Sequence, residues 1–286
     1  MRSTLLLAMT LASVPVAAQG EAFRFRYQPA SGRGIQSLTE TRTVTTMTGL
    51  PRVPDGTAVE VEARIFAQER VMGTSGGGFR VGVGVDSVRV RGRQREAAWV
   101  DLPTPPFAGR STRAEVTDRL HVTGIETTAP EDGTLLRILT GWVANLGFAF
   151  PDSAVPVGGT FRPGAQVPFE VTLSDDAGIG VSEVLLGDLA LTLDSLVARP
   201  GDTLAYLRFG GQFTPRTVET AGEGGSRSDT FEGGFVGSLL WSTGWNAFVS
   251  AGLRVRVTGR LQQETAGGMV QAAVEWDATL VHRIRP

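Results

Sequence analysis

The dominant pattern along the chain is an alternation of apolar and polar residues with a period of two. It is clearest in Met269 to Arg283 and in Leu253 to Leu261, where arginines stand between the apolar residues of the second segment. Successive side chains of a strand point to opposite faces, so these segments predict antiparallel strands with one dry face and one wet face. Phe231 to Trp241 precedes them, and glycine-containing turns separate the three. Together they predict a meander.

Similar segments precede this meander, with Gly- and Pro-rich connections between several of them. Several exceed the usual strand length of about 5–6 residues, which favours a strongly curved sheet, a half-barrel or a barrel. In Phe79 to Arg91 the apolar residues stand at odd positions up to Val85 and at even positions from Val88 onward. This change after Asp86 and Ser87 predicts a β-bulge. Gly82 and Gly84 of this strand predict a bend or a close approach by another element. The other candidate strands are Phe23 to Tyr27, Gln36 to Thr48, Ala58 to Gln68, Ala114 to Thr123 and Val167 to Leu173.

One segment departs from the period of two. Between Leu135 and Leu146 the apolar residues are spaced by three and four, which predicts an amphipathic helix over about residues 132–146. Asp132 or Thr134 is a candidate N-cap. Ile179 to Leu186 predicts a second, shorter helix. The predicted fold class is therefore mainly β, with long antiparallel strands in a curved sheet or half-barrel and one amphipathic helix.

The first eighteen residues have the pattern of a cleavable export signal. Arg2 supplies a positive start, Leu5 to Val16 an apolar run, and Ala17 and Ala18 the small residues before the cleavage site. We therefore expect an exported protein that is periplasmic or extracellular, and association with the outer membrane stays open. Residues 19–286 are expected to form one large β domain, with a subdivision near 125–130 as the alternative.

Composition excludes several function classes. The chain has no cysteine, so it has no disulfide, no catalytic thiol and no thiol for a lipid anchor. It also has no lysine, which excludes the P-loop lysine and Schiff-base catalysis. Its formal net charge is −2 with both signs interspersed, so no nucleic-acid partner is expected. After Gly82 and Gly84 the third glycine of a dinucleotide loop is replaced by Ser87.

Few residues offer catalytic or metal-binding chemistry. The two histidines, His121 and His282, lack metal-ligand spacing. The acidic pairs at 131–132 and 175–176 are interpreted as a helix cap and a loop, with a carboxylate pair for glycoside hydrolysis as the alternative. We therefore predict no catalytic, cofactor-binding or metal-binding residues and no enzyme activity.

The residues Phe150 to Phe161 read Phe-Pro-Asp-x-x-Val-x-Val-Gly-x-Thr-Phe, between the predicted helix and long amphipathic strands. This order resembles a group of exported bacterial β-rich proteins of no established activity, over about residues 130–285. The arrangement is also similar to half-barrel lipoprotein carriers, in which a curved sheet with a helix inside holds acyl chains. That likeness implies a concave sheet that binds an apolar ligand.

Three function classes follow from these observations. The first is an exported, non-catalytic β-protein that binds an apolar or lipid-like small molecule in a concave sheet, or acts as an envelope structural or interaction module with a protein partner. The second is an outer-membrane β-barrel, which also alternates in polarity; the predicted helix and the Pro-rich connections speak against membrane insertion. The third is a hydrolase that uses His121. The candidate ligand-facing residues are Trp142, Trp241, Trp245 and Trp276; for Trp241 and Trp245 a purely structural aromatic pairing at the turn is the alternative.

Overall fold

The computed structural model describes residues 21–50, 53–105, 108–126, 148–173, 181–222, 225–265 and 268–285. Within these ranges no helix is long and apolar enough to cross a membrane. The described residues form seventeen strands: β1 (Ala22–Phe23), β2 (Gly34–Thr48), β3 (Thr57–Ser75), β4 (Gly78–Gln94), β5 (Val100–Asp101), β6 (Ser111–Thr117), β7 (Val122–Glu126), β8 (Val155–Pro156), β9 (Thr160–Phe161), β10 (Gln166–Leu173), β11 (Val181–Asp188), β12 (Leu191–Arg199), β13 (Asp202–Gln212), β14 (Arg216–Gly222), β15 (Gly225–Ser242), β16 (Ala247–Thr265) and β17 (Gly268–Arg285).

Thirteen of these strands form one antiparallel sheet. Eleven follow the order β7-β6-β4-β3-β2-β17-β16-β15-β13-β12-β9, while β5 pairs with β4 and β14 pairs with β15. Two smaller units, β1 with β8 and β10 with β11, stand beside it. Among the described residues the two ends of the sheet do not pair with one another, so the sheet is not closed into a barrel. The mainly β, antiparallel prediction is confirmed.

The predicted C-terminal meander is confirmed as β15, β16 and β17. Its strands pair in register over most of their length, and the hairpin between the last two closes where Thr265 faces Gly268. Along β17, Ala272, Val274 and Trp276 are buried while the residues between them are exposed. The alternation in the sequence thus identifies the dry face.

The glycine-rich stretch between β3 and β4 is a turn. Gly76 and Gly77 have φ angles of 54° and 97°, which glycine adopts without strain. The predicted bulge is confirmed: Phe66 faces Ser87 but the next residue of β3 faces Val85, so Asp86 is the extra residue. At Gly82 the close neighbour is the Met72 side chain, whose sulfur would lie 3.3 Å from an added Cβ.

Three local predictions need correction, and a fourth lies outside the described residues. The second helix, Ile179 to Leu186, is wrong for its described residues, because Val181–Asp188 pairs with β10 along its whole length. Ala114 to Thr123 is two strands, since Leu120 takes a positive φ of 60° in the turn between β6 and β7. The first predicted strand, Phe23 to Tyr27, is reduced to β1. The amphipathic helix at 132–146 lies outside the described residues.

The sheet is strongly curved, and a single phenylalanine demonstrates it. The amide of Phe150 donates to the carbonyl of Arg119, which lies between β6 and β7 near one end of the sheet. Its ring meets that of Trp241 on β15 at 4.9 Å between centroids. Six strand spacings, or about 29 Å in a flat sheet, separate β6 from β15. One residue can reach both only if the sheet curls around it, so the inner face is concave.

Candidate functional site

The centre of the concave face is formed by five neighbouring strands, β4, β3, β2, β17 and β16. Their inward-facing residues align in three rows, each with a threonine of β2 in the middle. We call this surface the inner floor. Its rows are Val90–Ala63–Thr41–Leu280–Leu253, then Gly92–Val61–Thr43–Ala278–Val255, then Gln94–Val59–Thr45–Trp276–Val257.

The inner floor is less covered than the rest of the inner face. Most of its side chains are half-buried, among them Val61, Ala63 and Leu280. Inward-facing residues along the same strands beyond it, such as Ile65 and Val83, are fully buried. The middle row carries small side chains in its first four positions; Val61, Thr43 and Ala278 are half-buried, while the two ends of the row, Gly92 and Val255, are buried. We call the half-buried part of this row, which spans two strand spacings or about 10 Å, the trough.

A column of hydroxyl groups runs along β2 through the inner floor. Ser37 and Thr39 are buried, whereas Thr41, Thr43 and Thr45 are half-buried. The hydroxyls of these last three have no hydrogen-bond partner among the described residues. This column was not predicted from the sequence, although hydroxyl residues occupy every odd position from 37 to 45.

His282 lies beside Thr39, near one end of the column. Its ring is buried, and Nδ1 lies 2.9 Å from the hydroxyl oxygen of Thr39. Burial lowers the pKa of His282 from 6.5 to about 4, because the charged ring would lose its hydration. The ring is therefore neutral at neutral pH. His121 lies elsewhere, in the turn after β6, where its Nδ1 is 3.3 Å from the carbonyl oxygen of Phe148.

The predicted tryptophan sites occupy different environments. Trp241 is fully buried, with the Phe150 and Phe248 rings 4.9 and 5.1 Å away. Trp276 is also buried, at the edge of the inner floor. Trp245 is 39% exposed in the turn between β15 and β16. Trp142 lies outside the described residues, as do the acidic pairs at 131–132 and 175–176.

A polar cluster and an aromatic cluster fill one end of the concave face. Arg33 donates to the carbonyl of Asn246 and to the carboxylate of Glu69, which also accepts from the hydroxyl of Tyr27. Burial raises the pKa of Glu69, against the opposing effect of Arg33. The cluster ties the start of β2 to the β15–β16 turn. The aromatic residues beside it are Phe23, Phe25, Phe148, Phe150, Phe161 and Phe248.

The outer face of the same strands is charged and ion-paired. Glu60 accepts from both Arg42 and Arg93. Asp277 accepts from Arg254 at 3.0 and 2.6 Å and from Arg256 at 3.3 Å. These bonds, led by those from Arg254, lower the pKa of Asp277. A depression of about 590 Å³ surrounds this last group. Because the outer arginines share carboxylates, this face is a hydrated, nearly neutral surface.

No model of a known protein family matches the chain, and no curated protein matches it in sequence. Among solved structures, lipovitellin, described for its lipid–protein interactions, is similar with a TM-score of 0.47 and 10% identity over 91% of this chain. The chain spans 25% of that protein's length.

Two bacterial proteins show a weaker likeness. An outer-membrane channel from Pseudomonas putida F1 gives a TM-score of 0.21 at 8% identity, with 91% of this chain and 98% of that one covered. OccK7 of Pseudomonas aeruginosa gives 0.22 at 9%, with 90% and 99% covered. All three TM-scores lie below 0.5, so these are weak likenesses that assign no family.

Proposed function

We propose that the chain is an exported, non-catalytic protein that holds an apolar or lipid-like ligand against the inner floor. The observation that carries this proposal is the half-buried state of the inner floor, which is largely apolar, within an inner face that is otherwise well packed. A ligand in the trough would remove this surface from water. Burial of an acyl chain stabilises a complex by about 0.8 kcal/mol for each methylene.

The charge distribution favours this function over the outer-membrane barrel. A transmembrane barrel turns an apolar band toward the lipid. Here the outward-facing residues of the central strands include Arg42, Glu60, Glu62, Arg254 and Asp277, and the dry face is concave. The open sheet among the described residues supports the same choice. Export itself rests on the pattern of residues 1–18, and N-terminal sequencing of the secreted protein tests it.

A pair of adjacent substitutions tests the location of the ligand. Ala63 lies on the inner floor, and Arg64 points outward from the next position of β3. Ala63→Trp places an indole on the inner floor beside the trough, so we expect it to weaken binding of a fluorescent acyl ester at least about tenfold. Arg64→Trp adds the same side chain to the outer face and should leave the affinity unchanged.

Thermal unfolding of both variants controls for loss of the fold. If the wild type does not bind the acyl ester, or if Ala63→Trp is folded and binds it as well as the wild type does, the proposal is wrong.

A further inference from the structure

We propose that the ligand of the inner floor is a lipid whose polar part is an uncharged ester, such as an acylglycerol. This inference rests on the proposed function of the same surface and names the ligand class. It follows from which polar groups the concave face offers and which it lacks.

The inner floor offers hydroxyl groups that can donate a hydrogen bond. Thr41, Thr43 and Thr45 are about 6.8 Å apart along β2 and have no partner among the described residues. A threonine hydroxyl can donate to a carbonyl oxygen and accept from an alcohol. Pure hydrocarbon over this column would leave three half-buried hydroxyls without partners, which is unfavourable. An ester with neighbouring hydroxyls satisfies them.

The described inward-facing residues of the inner floor's five strands include no arginine, and the guanidinium of Arg95, just after β4, is bonded to the Thr57 hydroxyl at the rim of the inner floor. Of the described inward-facing residues on its five strands, two are ionisable, Glu69 and His282. Glu69 is paired with Arg33 at 3.1 Å, toward the filled end of the concave face. His282 is neutral and bonded to Thr39. An ionised carboxylate or phosphate in the trough would lose hydration without gaining a counter-charge.

The experiment compares three competitors that each carry a 16-carbon chain: glyceryl monopalmitate, palmitate and hexadecane. Each displaces a fluorescent acyl ester from the full chain at mildly alkaline pH, where the acid is ionised. We expect the ester to compete at least about tenfold better than palmitate. Thr43→Val removes one hydroxyl at constant shape, and should weaken the ester about three- to tenfold while leaving hexadecane unchanged. Thr46→Val, on the outer face of the same strand, is the matched control.

The outcomes separate this inference from the function on which it rests. If palmitate competes as well as the ester, or if Thr43→Val weakens ester and hexadecane equally, the ligand class is wrong while acyl binding stands. If neither the fluorescent ester nor any competitor binds, the proposed function itself is wrong and the ligand class is overturned with it.

Discussion

The buried histidine near one end of the threonine column makes the stability of the protein depend on pH. The pKa of His282 is about 4 in the folded chain and about 6.5 when the ring is in water, because burial disfavours the charged ring. Between these two values the unfolded chain binds a proton that the folded chain does not. The free energy of unfolding therefore falls as the pH drops from 6.5 toward 4 and loses nothing more from this group below that.

The size of the effect follows from the shift. One pKa unit corresponds to about 1.4 kcal/mol, so the full loss is about 3 kcal/mol. At pH 5, where the unfolded histidine is almost fully protonated and the folded one is still largely neutral, the loss is about 2 kcal/mol. This is a large part of the stability of an ordinary domain, which is about 5–15 kcal/mol.

Urea unfolding at pH 7 and pH 5 measures this loss for the wild type and for His282→Gln. Glutamine keeps a polar group beside Thr39 but does not titrate, so the variant should lose about 2 kcal/mol less than the wild type over this interval. His121→Gln replaces the other histidine on a half-exposed turn and controls for the loss of an imidazole as such. Equal losses in the wild type and His282→Gln would refute the assignment of a buried neutral ring.

Three further predictions concern packing and turns, each measured by denaturant unfolding. Trp241→Ala should cost about 3–5 kcal/mol, because it empties a fully buried site between phenylalanine rings; a cost below 1 kcal/mol would contradict that packing. Gly237→Ala should cost about 1–3 kcal/mol, since a Cβ there would overlap the ring of Phe209, whereas Gly252→Ala on the neighbouring strand meets no atom closer than 3.8 Å and should stay within about 0.5 kcal/mol. Equal losses of unfolding free energy in Gly237→Ala and Gly252→Ala would contradict this close contact. Asp202→Ala should cost about 1–2 kcal/mol, because its carboxylate accepts hydrogen bonds from the β15–β16 turn; an unchanged urea midpoint would show that these bonds contribute nothing.

The strands of the C-terminal meander could be predicted from sequence because their two faces differ in chemistry. In β16, apolar residues such as Val255 and Val257 alternate with Arg254 and Arg256, so a period of two is unmistakable. The bulge at Asp86 was equally visible as a shift of phase. The helix expected at Ile179 to Leu186 failed because its apolar residues also suit helical spacing, and only pairing with β10 decides the conformation.

The inner floor could not be predicted, and β2 shows why. Its inward positions carry Thr41, Thr43 and Thr45, while its outward positions include Arg42 and Thr46, so both faces are polar in sequence. The apolar character of the site comes from the strands on either side. These became neighbours through the β2–β17 pairing, which joins the two ends of the chain. Of the tryptophans predicted to face a ligand, Trp241 and Trp276 are buried in the core, whereas Trp245 is exposed in a turn.

Native mass spectrometry of the protein purified from its own cell envelope shows whether the inner floor holds a lipid. We expect the wild type to carry a bound species that is extracted by organic solvent and identified as a neutral acyl ester. Folded Ala63→Trp protein should be purified without it, while Arg64→Trp should retain it. Wild-type protein that is free of lipid and does not take up acyl esters added to it would contradict this expectation. A bound lipid retained equally by Ala63→Trp would place the ligand elsewhere than on the inner floor.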